Sequence, residues 1–150
     1  MKKIKLSRGK YTIVDDEDFE WLNRWKWSYN SLGYARMGQN YKTILMHRLI
    51  MNTPHGMETD HINGNGLDNR RSNLRICTRS QNKMNTCLSS KNTSGYKGVC
   101  WNKNSKKWRA EIEYKKSICL GYFDNKIDAA KAYNQKAKEL FGEFAKLNKI

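Results

Sequence analysis

Short alternating runs of apolar and polar residues, separated by turn residues, fill the first third of the chain. Residues 11–14 (Tyr-Thr-Ile-Val) predict a strand. The acidic run behind them is typical of the first turn of a helix, with Asp15 or Asp16 as its cap. Residues 27–29 and 34–36 alternate like the two strands of a hairpin. This part of the chain therefore predicts short strands around a short helix.

Three tryptophans lie within seven residues of one another, at Trp21, Trp25 and Trp27. Together with Phe19 and Leu22 they are most simply explained as a compact core. The alternative is a platform on which nucleic-acid bases stack.

The middle of the chain predicts a strand, a glycine-rich loop, a second strand and a helix. The strands are residues 59–62 and 73–78, the loop is 63–69, and Ser80 is expected to cap the helix. Residues 45–51 fit a helical turn or a strand, and their periodicity does not decide between them.

The last third predicts three strands and a covering helix. The strands are residues 98–101, 107–114 and 118–123, and Asp124 or Asn125 is expected to cap the helix. Five apolar residues recur along that helix at helical spacing: Ala129, Ala130, Tyr133, Ala137 and Leu140.

Alternation along residues 107–114 separates an apolar face from a charged face. The apolar face suits the helix and consists of Trp108, Ala110, Ile112 and Tyr114. The other face carries Lys107, Arg109, Glu111 and Glu113. It is either a solvated surface or a surface that enters the DNA major groove, where Arg reads guanine and Glu accepts from cytosine.

The charge of the chain favours the interpretation of this face as a DNA-binding surface. The 150 residues carry a formal net charge of +15, and residues 91–150 hold fourteen basic and six acidic residues. Such an excess is typical of a protein with a polyanionic partner or an anionic membrane. The chain lacks an apolar run of membrane-spanning length, and no apolar region follows the basic start of a secretory signal. Nucleic acid is therefore the leading partner.

The four cysteines contain no CxxC pair and are expected to be reduced, partly buried thiols in a cytosolic protein.

A constellation suited to phosphodiester hydrolysis occupies residues 60–82. Histidine suits the task of accepting a proton from water at neutral pH, which favours His61 as a general base. Hard oxygen ligands suit magnesium or manganese, which favours Asp60 and Asn82 as metal ligands. Asn73 opens the second strand, where its side chain is expected to hold the loop and orient His61.

These residues resemble the HNH endonuclease family. The resemblance rests on Met46-His47-Arg48-Leu49-Ile50, Thr59-Asp60-His61-Ile62-Asn63-Gly64, Ser72-Asn73-Leu74-Arg75 and Arg79-Ser80-Gln81-Asn82. It matches the phage and mobile-intron homing branch, whose third motif residue is Asn. It implies His61 as general base, Asn73 as orienting residue, and one Mg²⁺ or Mn²⁺ on Asp60 and Asn82. His47 matches another recurrent position, either as a packing residue or as a phosphate contact.

Residues 94–148 resemble the AP2 DNA-binding domain of plant transcription factors. The resemblance rests on Tyr96-Lys97-Gly98-Val99, Trp108-Arg109-Ala110-Glu111-Ile112, Leu120-Gly121-Tyr122-Phe123, Ala129-Ala130-Lys131-Ala132-Tyr133 and Ala145-Lys146-Leu147-Asn148. It implies DNA contacts at Lys97, Asn102, Arg109, Glu111, Glu113 and Tyr122. Cys100 and Cys119 stand where that family often has arginine and tryptophan, so the target sequence is expected to differ.

The expected fold is α+β. A mixed β region (1–54) leads into a ββα-metal hairpin and helix (55–90), which together form the nuclease domain (1–90). An AP2-type three-stranded antiparallel sheet with one packed helix follows (91–150), after a polar linker at 87–94.

The expected function is metal-dependent cleavage of double-stranded DNA, as a homing endonuclease that nicks or cuts a fairly long site. The chain is expected to act as a monomer or homodimer without a small-molecule substrate. The resemblance implies a phage or mobile element as its origin and the cytoplasm of a bacterial host as its place of action. The alternatives are a DNA-binding regulator with a decayed nuclease site and an RNA-binding protein that stacks bases on exposed aromatics such as Trp101.

Overall fold

The structure is a computed structural model that describes residues 1–39, 41–86, 88 and 92–150. The chain forms two compact units, Met1–Asn82 and Lys83–Ile150. Both combine short antiparallel sheets with helices, so the predicted α+β class is confirmed. Residues 87 and 89–91 of the expected linker, and with them the expected domain boundary, lie outside the described residues. No helix in the described ranges is long and apolar enough to cross a membrane.

The first unit is built from short strands that pair in three small antiparallel sheets. In chain order its elements are β1 (Lys2–Lys5), β2 (Tyr11–Val14), α1 (Asp16–Leu22), β3 (Ser28–Tyr29), β4 (Ala35–Gln39), β5 (Lys42–Leu45), α2 (Met46–Ile50), β6 (Glu58–His61), β7 (Leu74–Cys77) and the first four residues of α3 (Arg79–Met84), a helix that continues into the second unit. Strand β1 pairs with β2, β4 lies between β3 and β5, and β6 pairs with β7. The segment 45–51, which periodicity left undecided, is mostly helical.

The core of this unit draws apolar side chains from most of its elements. Its buried members are Ile4, Leu6, Val14, Leu22, Trp27, Ala35, Met37, Met46, Ile50 and Leu74. Trp27 is buried and donates its indole N–H to the Leu22 carbonyl at 2.8 Å. Trp25 is 43% exposed, so the prediction of a core containing all three tryptophans is wrong. Helix α1 ends at Leu22, and the helical spacing that would align Trp21 with Trp25 ends with it.

One predicted helix cap lacks its side-chain hydrogen bond, and another is wrong. Asp15 is the N-cap residue of α1, as predicted, but its carboxylate accepts the backbone N–H of Arg71 at 2.8 Å and makes no cap bond. Ser80 lies inside α3. Thr78 caps that helix instead, accepting from the Gln81 N–H while the Gln81 side chain accepts from the Thr78 N–H. This reciprocal pair is a capping box.

The second unit is a three-stranded antiparallel sheet covered by one helix. Its elements are β8 (Val99–Asn102), β9 (Lys107–Tyr114), β10 (Lys116–Phe123) and α4 (Lys126–Phe141), with β9 in the centre of the sheet. The predicted three strands and helix are therefore confirmed. Asn125 caps α4 by accepting the Asp128 N–H at 2.8 Å.

Helix α4 covers the face of β9 that alternation predicted. Ala110 and Ile112 are buried there, against Ala129, Ala130 and Tyr133 of the helix. The charged residues of β9 consequently occupy the opposite face.

The cysteines are less buried than the sequence suggested. Cys77, Cys100 and Cys119 are free thiols, as expected, but Cys100 and Cys119 are exposed and only Cys77 of the three is buried. Burial raises the pKa of the Cys77 thiol to about 11, so it stays protonated. Cys87 lies outside the described residues.

Gly98 is required where the chain enters β8. Its φ is +72°, and a Cβ at this position would overlap the Tyr133 ring and lie 2.5 Å from the Glu111 carbonyl oxygen. Gly95 has a similar φ of +81° but open space around it. Comparing substitutions at Gly98 and Gly95 therefore distinguishes the cost of backbone strain from the cost of steric overlap.

We expect Gly98→Ala to lower the free energy of unfolding of the second unit by about 2–4 kcal/mol, since strain and overlap add. Gly95→Ala should lower the same free energy of unfolding by about 1–2 kcal/mol, because alanine disfavours the left-handed backbone conformation but meets no neighbouring atom there. Hydrogen exchange of the Ala110 and Ile112 amides measures both. Equal losses in the two variants would contradict the steric argument.

Candidate active site and nucleic-acid interface

The β6–β7 hairpin distributes the predicted nuclease residues over its two faces. Asp60 pairs with Arg75 across the ladder, and His61 pairs with Leu74. Because side chains alternate along a strand, Glu58 and Asp60 share one face of β6, whereas His61 belongs to the other. His61 is the last residue of its strand, where the loop to β7 begins.

The carboxylate face is held by two hydrogen-bonded pairs. The Asp60 carboxylate is buried, and its Oδ2 accepts from Arg75 Nη2 at 2.7 Å and from Nε at 3.0 Å. Asn82 Nδ2, from helix α3, donates to Glu58 Oε2 at 2.7 Å. The sequence predicts the Asn82 amide oxygen beside Asp60. In the structure the amide nitrogen donates to Glu58, which is not among the predicted site residues although strand alternation places it on the same face as Asp60.

The donor chemistry of this face fits a hard divalent ion. Carboxylate and amide oxygens are the ligands that Mg²⁺ and Mn²⁺ prefer, and Mg²⁺ commonly binds proteins through one or two carboxylates while waters and substrate phosphates complete its shell. The described residues contain no group of three or more His, Cys, Asp or Glu side chains that could hold a metal ion. A site here would therefore depend on Asp60, Asn82 and the substrate.

The His61 ring lies in a buried aromatic cluster on the opposite face. Its centroid is 5.7 Å from that of Tyr34, in a stacked arrangement, and 4.9 Å from that of His47. Its Nε2 is 3.1 Å from Asn69 Oδ1. Burial lowers the pKa of His61 below its ordinary value, against the opposing effects of the Asn69 hydrogen bond and the Asp60 charge. The neutral imidazole, which can accept a proton, is thereby favoured at neutral pH.

His47 is a packing residue in this structure. It is buried between Tyr34, at 5.0 Å between centroids, and His61. Burial lowers the pKa of His47 to about 3, so the ring is uncharged at neutral pH. The phosphate contact that the sequence left open stays a hypothesis.

Asn73 holds the loop between β6 and β7. Its Oδ1 accepts the Asn63 N–H at 3.0 Å, and its Nδ2 donates to Asn63 Oδ1 at 3.1 Å and to the Asp68 carbonyl at 2.8 Å. The side chain thus ties both ends of the loop to the start of β7. The amide beside the His61 ring belongs to Asn69, for which the sequence predicted only a place in the loop 63–69.

The same loop is fastened to the start of the chain. Ile13 of β2 donates its N–H to the Leu67 carbonyl at 2.9 Å and accepts from the Asn69 N–H at 2.8 Å, so the loop runs parallel to β2. Arg71 places two guanidinium nitrogens on the buried Asp18 carboxylate of α1, at 2.8 and 2.7 Å. These contacts span more than fifty residues of sequence.

In the second unit, the sheet brings most of the predicted DNA contacts onto the face away from α4. Arg109 lies in register with Tyr122 on β10, and Asn102 lies in register with Lys107. Arg109 and Glu111 form an ion pair at 2.8 Å, and both are partly exposed. Glu113 is the most exposed member of the face, with 79% of its side chain accessible.

Two predicted contacts have structural partners. Lys97 lies outside the sheet, and its ammonium donates to the Met84 and Thr86 carbonyls, both at 2.8 Å. Asn102 Oδ1 accepts the Ser105 N–H at 2.9 Å and closes the β8–β9 turn.

Comparisons with known proteins match a segment in each of the two units. Residues 45–84 match the HNH endonuclease family, and residues 94–143 match the AP2 domain. An uncharacterized HNH endonuclease of Acanthamoeba polyphaga mimivirus is 32% identical over 160 aligned residues, which cover 97% of this chain and 79% of the relative. Protein 3.8 of Escherichia phage T7 is 39% identical over 59 residues, covering 39% of this chain and 49% of that protein. No solved structure matches.

A nuclease-type hairpin joined to an AP2 segment defines the class of this protein. The chain belongs to the HNH endonuclease family and carries an AP2 domain.

We expect Asn73→Ala to lower the free energy of unfolding of the first unit by about 2–4 kcal/mol, because three largely buried hydrogen bonds are lost. The Asn63 amide should exchange faster with solvent. Asn73→Asp is the matched control, since it can still accept from the Asn63 N–H but cannot donate. Unchanged protection of the Asn63 amide in Asn73→Ala would show that Asn73 does not hold the loop.

Proposed function

We propose that the protein is an endonuclease that hydrolyses phosphodiester bonds of double-stranded DNA. The observation that carries the proposal is His61, a buried imidazole with a lowered pKa, which follows Asp60 at the end of β6 with its ring on the opposite face of the hairpin. In an HNH family member this pairing of a proton acceptor with hard oxygen donors suits the hydrolysis of a phosphodiester.

In the proposed reaction, His61 accepts the proton of the attacking water. The scissile phosphate is proposed to bind at the end of β6, where His61 is the last residue of the strand and Asp60 precedes it. The imidazole is held by packing against Tyr34 and His47, so its orientation is set before substrate binds. Holding reacting groups in alignment before the reaction lowers its free-energy barrier.

Asp60 and Asn82 are the residues proposed to hold one divalent ion, Mg²⁺ or Mn²⁺. The Asn82 amide nitrogen donates to Glu58, so the amide oxygen is the atom proposed to bind the ion. Arg75 supplies the positive charge that compensates the buried Asp60 carboxylate. When bound, the ion would stabilise charge on the phosphate and on the leaving 3′ oxygen.

The AP2 unit is proposed to locate the cleavage site. Residues 91–150 carry a net charge of +8, which favours a phosphate backbone as partner. The face formed by Arg109, Glu111, Glu113 and Tyr122 presents both donors and acceptors, which base recognition in the major groove requires. Lys97 and Asn102 are retained as proposed contacts.

A nuclease segment and a DNA-binding segment in one chain are also what a homing endonuclease with a fairly long site needs. We propose that role, with a nuclease domain at 1–90 and a DNA-binding domain at 91–150. An origin in a phage or mobile element and action in the cytoplasm of a bacterial host belong to the same proposal. Action as a monomer or homodimer without a small-molecule substrate is part of the same proposal.

His61→Ala should lower the single-turnover cleavage rate by about 10²–10⁴-fold, the usual contribution of a positioned general base. Cleavage is measured on genomic DNA of the source organism in Mg²⁺. DNA affinity, measured in EDTA, should stay within about threefold, because the phosphate contacts lie elsewhere.

EDTA should abolish cleavage by the unaltered protein, and Mg²⁺ or Mn²⁺ should restore it. Cleavage that persists in EDTA would rule out the proposed role of Asp60 and Asn82. A protein that binds DNA tightly but never cuts would instead be a DNA-binding regulator.

Arg109→Ala should weaken DNA binding by about 10–100-fold and relax the preference at one base pair, as expected for a side chain that reads a base edge. Lys138→Ala is the matched control, because it removes one exposed charge from α4 on the other side of the sheet. Equal effects of the two substitutions on affinity and preference would show that net charge alone governs binding.

A further inference from the structure

The amide of Asn69 contacts the His61 ring with a defined orientation. Asn69 is fully buried, and its Oδ1 lies 3.1 Å from His61 Nε2. Its other arm, Nδ2, donates to Thr12 Oγ1 at 2.7 Å. An asparagine amide has one accepting and one donating arm, so a donor bond to Thr12 directs the accepting oxygen towards His61.

The Thr12 hydroxyl fixes the direction of the bond to Asn69. Thr12 is fully buried, and its Oγ1 lies 2.8 Å from the Leu67 carbonyl oxygen. A carbonyl can only accept, so the hydroxyl proton points at Leu67 and an oxygen lone pair faces Asn69. The three bonds therefore run in one direction, from the His61 ring through Asn69 and Thr12 to the Leu67 carbonyl.

This direction determines which nitrogen of His61 carries the proton. Because Asn69 presents an acceptor to Nε2, that nitrogen must be the N–H of the neutral ring, and the lone pair resides on Nδ1. Backbone bonds between Ile13 of β2 and residues 67 and 69 hold the participating groups at these distances.

We propose that Asn69 and Thr12 are positioning residues that hold His61 in the tautomer with its proton on Nε2. The proposal rests on the proposed function of His61 as general base, and it identifies Nδ1 as the atom that accepts the proton of water. The imidazolium then formed keeps its Nε2–H bond to Asn69. Neither Asn69 nor Thr12 needs to touch DNA, and Thr12 orients the His61 ring through Asn69.

The decisive comparison is Thr12→Val against Thr12→Ser in the full chain. Valine has the shape of threonine but cannot accept from Asn69, so the amide is released to rotate and present Nδ2–H to His61. Serine keeps the hydroxyl. ¹⁵N chemical shifts of labelled histidine report the tautomer directly, and the chain has three histidines, so His61 is assigned by its loss in His61→Ala.

We expect the Nε2–H tautomer of His61 in the unaltered protein and in Thr12→Ser, and a rise of the Nδ1–H tautomer in Thr12→Val. Single-turnover cleavage of genomic DNA in Mg²⁺ should fall about 10–100-fold in Thr12→Val, the usual effect of losing a residue that orients a functional histidine. DNA affinity in EDTA should stay within about threefold. An Nδ1–H tautomer in the unaltered protein, or an unchanged tautomer in Thr12→Val, would overturn the proposal.

Asn69→Asp and Asn69→Ala provide a second comparison if circular dichroism shows that Thr12→Val does not fold. Aspartate presents an acceptor to Nε2 in either rotation and should keep the Nε2–H tautomer, whereas alanine should populate both tautomers. Loss of the Nε2–H tautomer in Asn69→Asp would refute the assignment. Because the tautomer is read without DNA, a failure of the nuclease proposal, seen as undiminished cutting by His61→Ala, is distinguishable from a failure of this one.

Discussion

The hydrogen bonds between β2 and the loop that follows β6 are the constraint on which the nuclease half depends. Two backbone bonds at Ile13 and the side-chain bond between Thr12 and Asn69 join parts of the chain that are more than fifty residues apart. Asn69 and Thr12 are fully buried, so water cannot replace a lost partner. A buried polar network of this kind is stable when complete and costly when broken. The position of the loop, and of every side chain it carries, follows from it.

Local pattern was enough to predict much of the fold. Alternation along residues 107–114 placed Ala110 and Ile112 against α4 and Arg109 on the opposite face, because a strand has only two faces and one of them must be buried. The helix over Ala129, Ala130 and Tyr133 followed from its apolar spacing in the same way. The capping box of Thr78 and Gln81 is also present in the sequence, but serine and threonine both favour the N-cap position, so sequence alone does not distinguish Thr78 from Ser80.

The candidate site was less predictable because its contacts are distant in sequence. Nothing near Asn69 indicates that it meets His61, since its orientation depends on Thr12 in another strand. The pairing of Asn82 with Glu58 depends on how α3 packs on β6, and spacing alone does not specify that. Trp25 is exposed because α1 ends at Leu22. The ends of short helices are difficult to predict from sequence.

The ion pair between Arg71 and Asp18 limits how segments could be exchanged between members of this family. The stretch by which the family is recognised begins at residue 45, but the loop within it is fastened to β2 and α1, which precede that stretch. The matched stretch therefore does not hold its loop in place by itself. Exchange of this stretch between distant relatives would separate the loop from its anchors, so a viable chimaera has to carry the amino-terminal strand and helix with it.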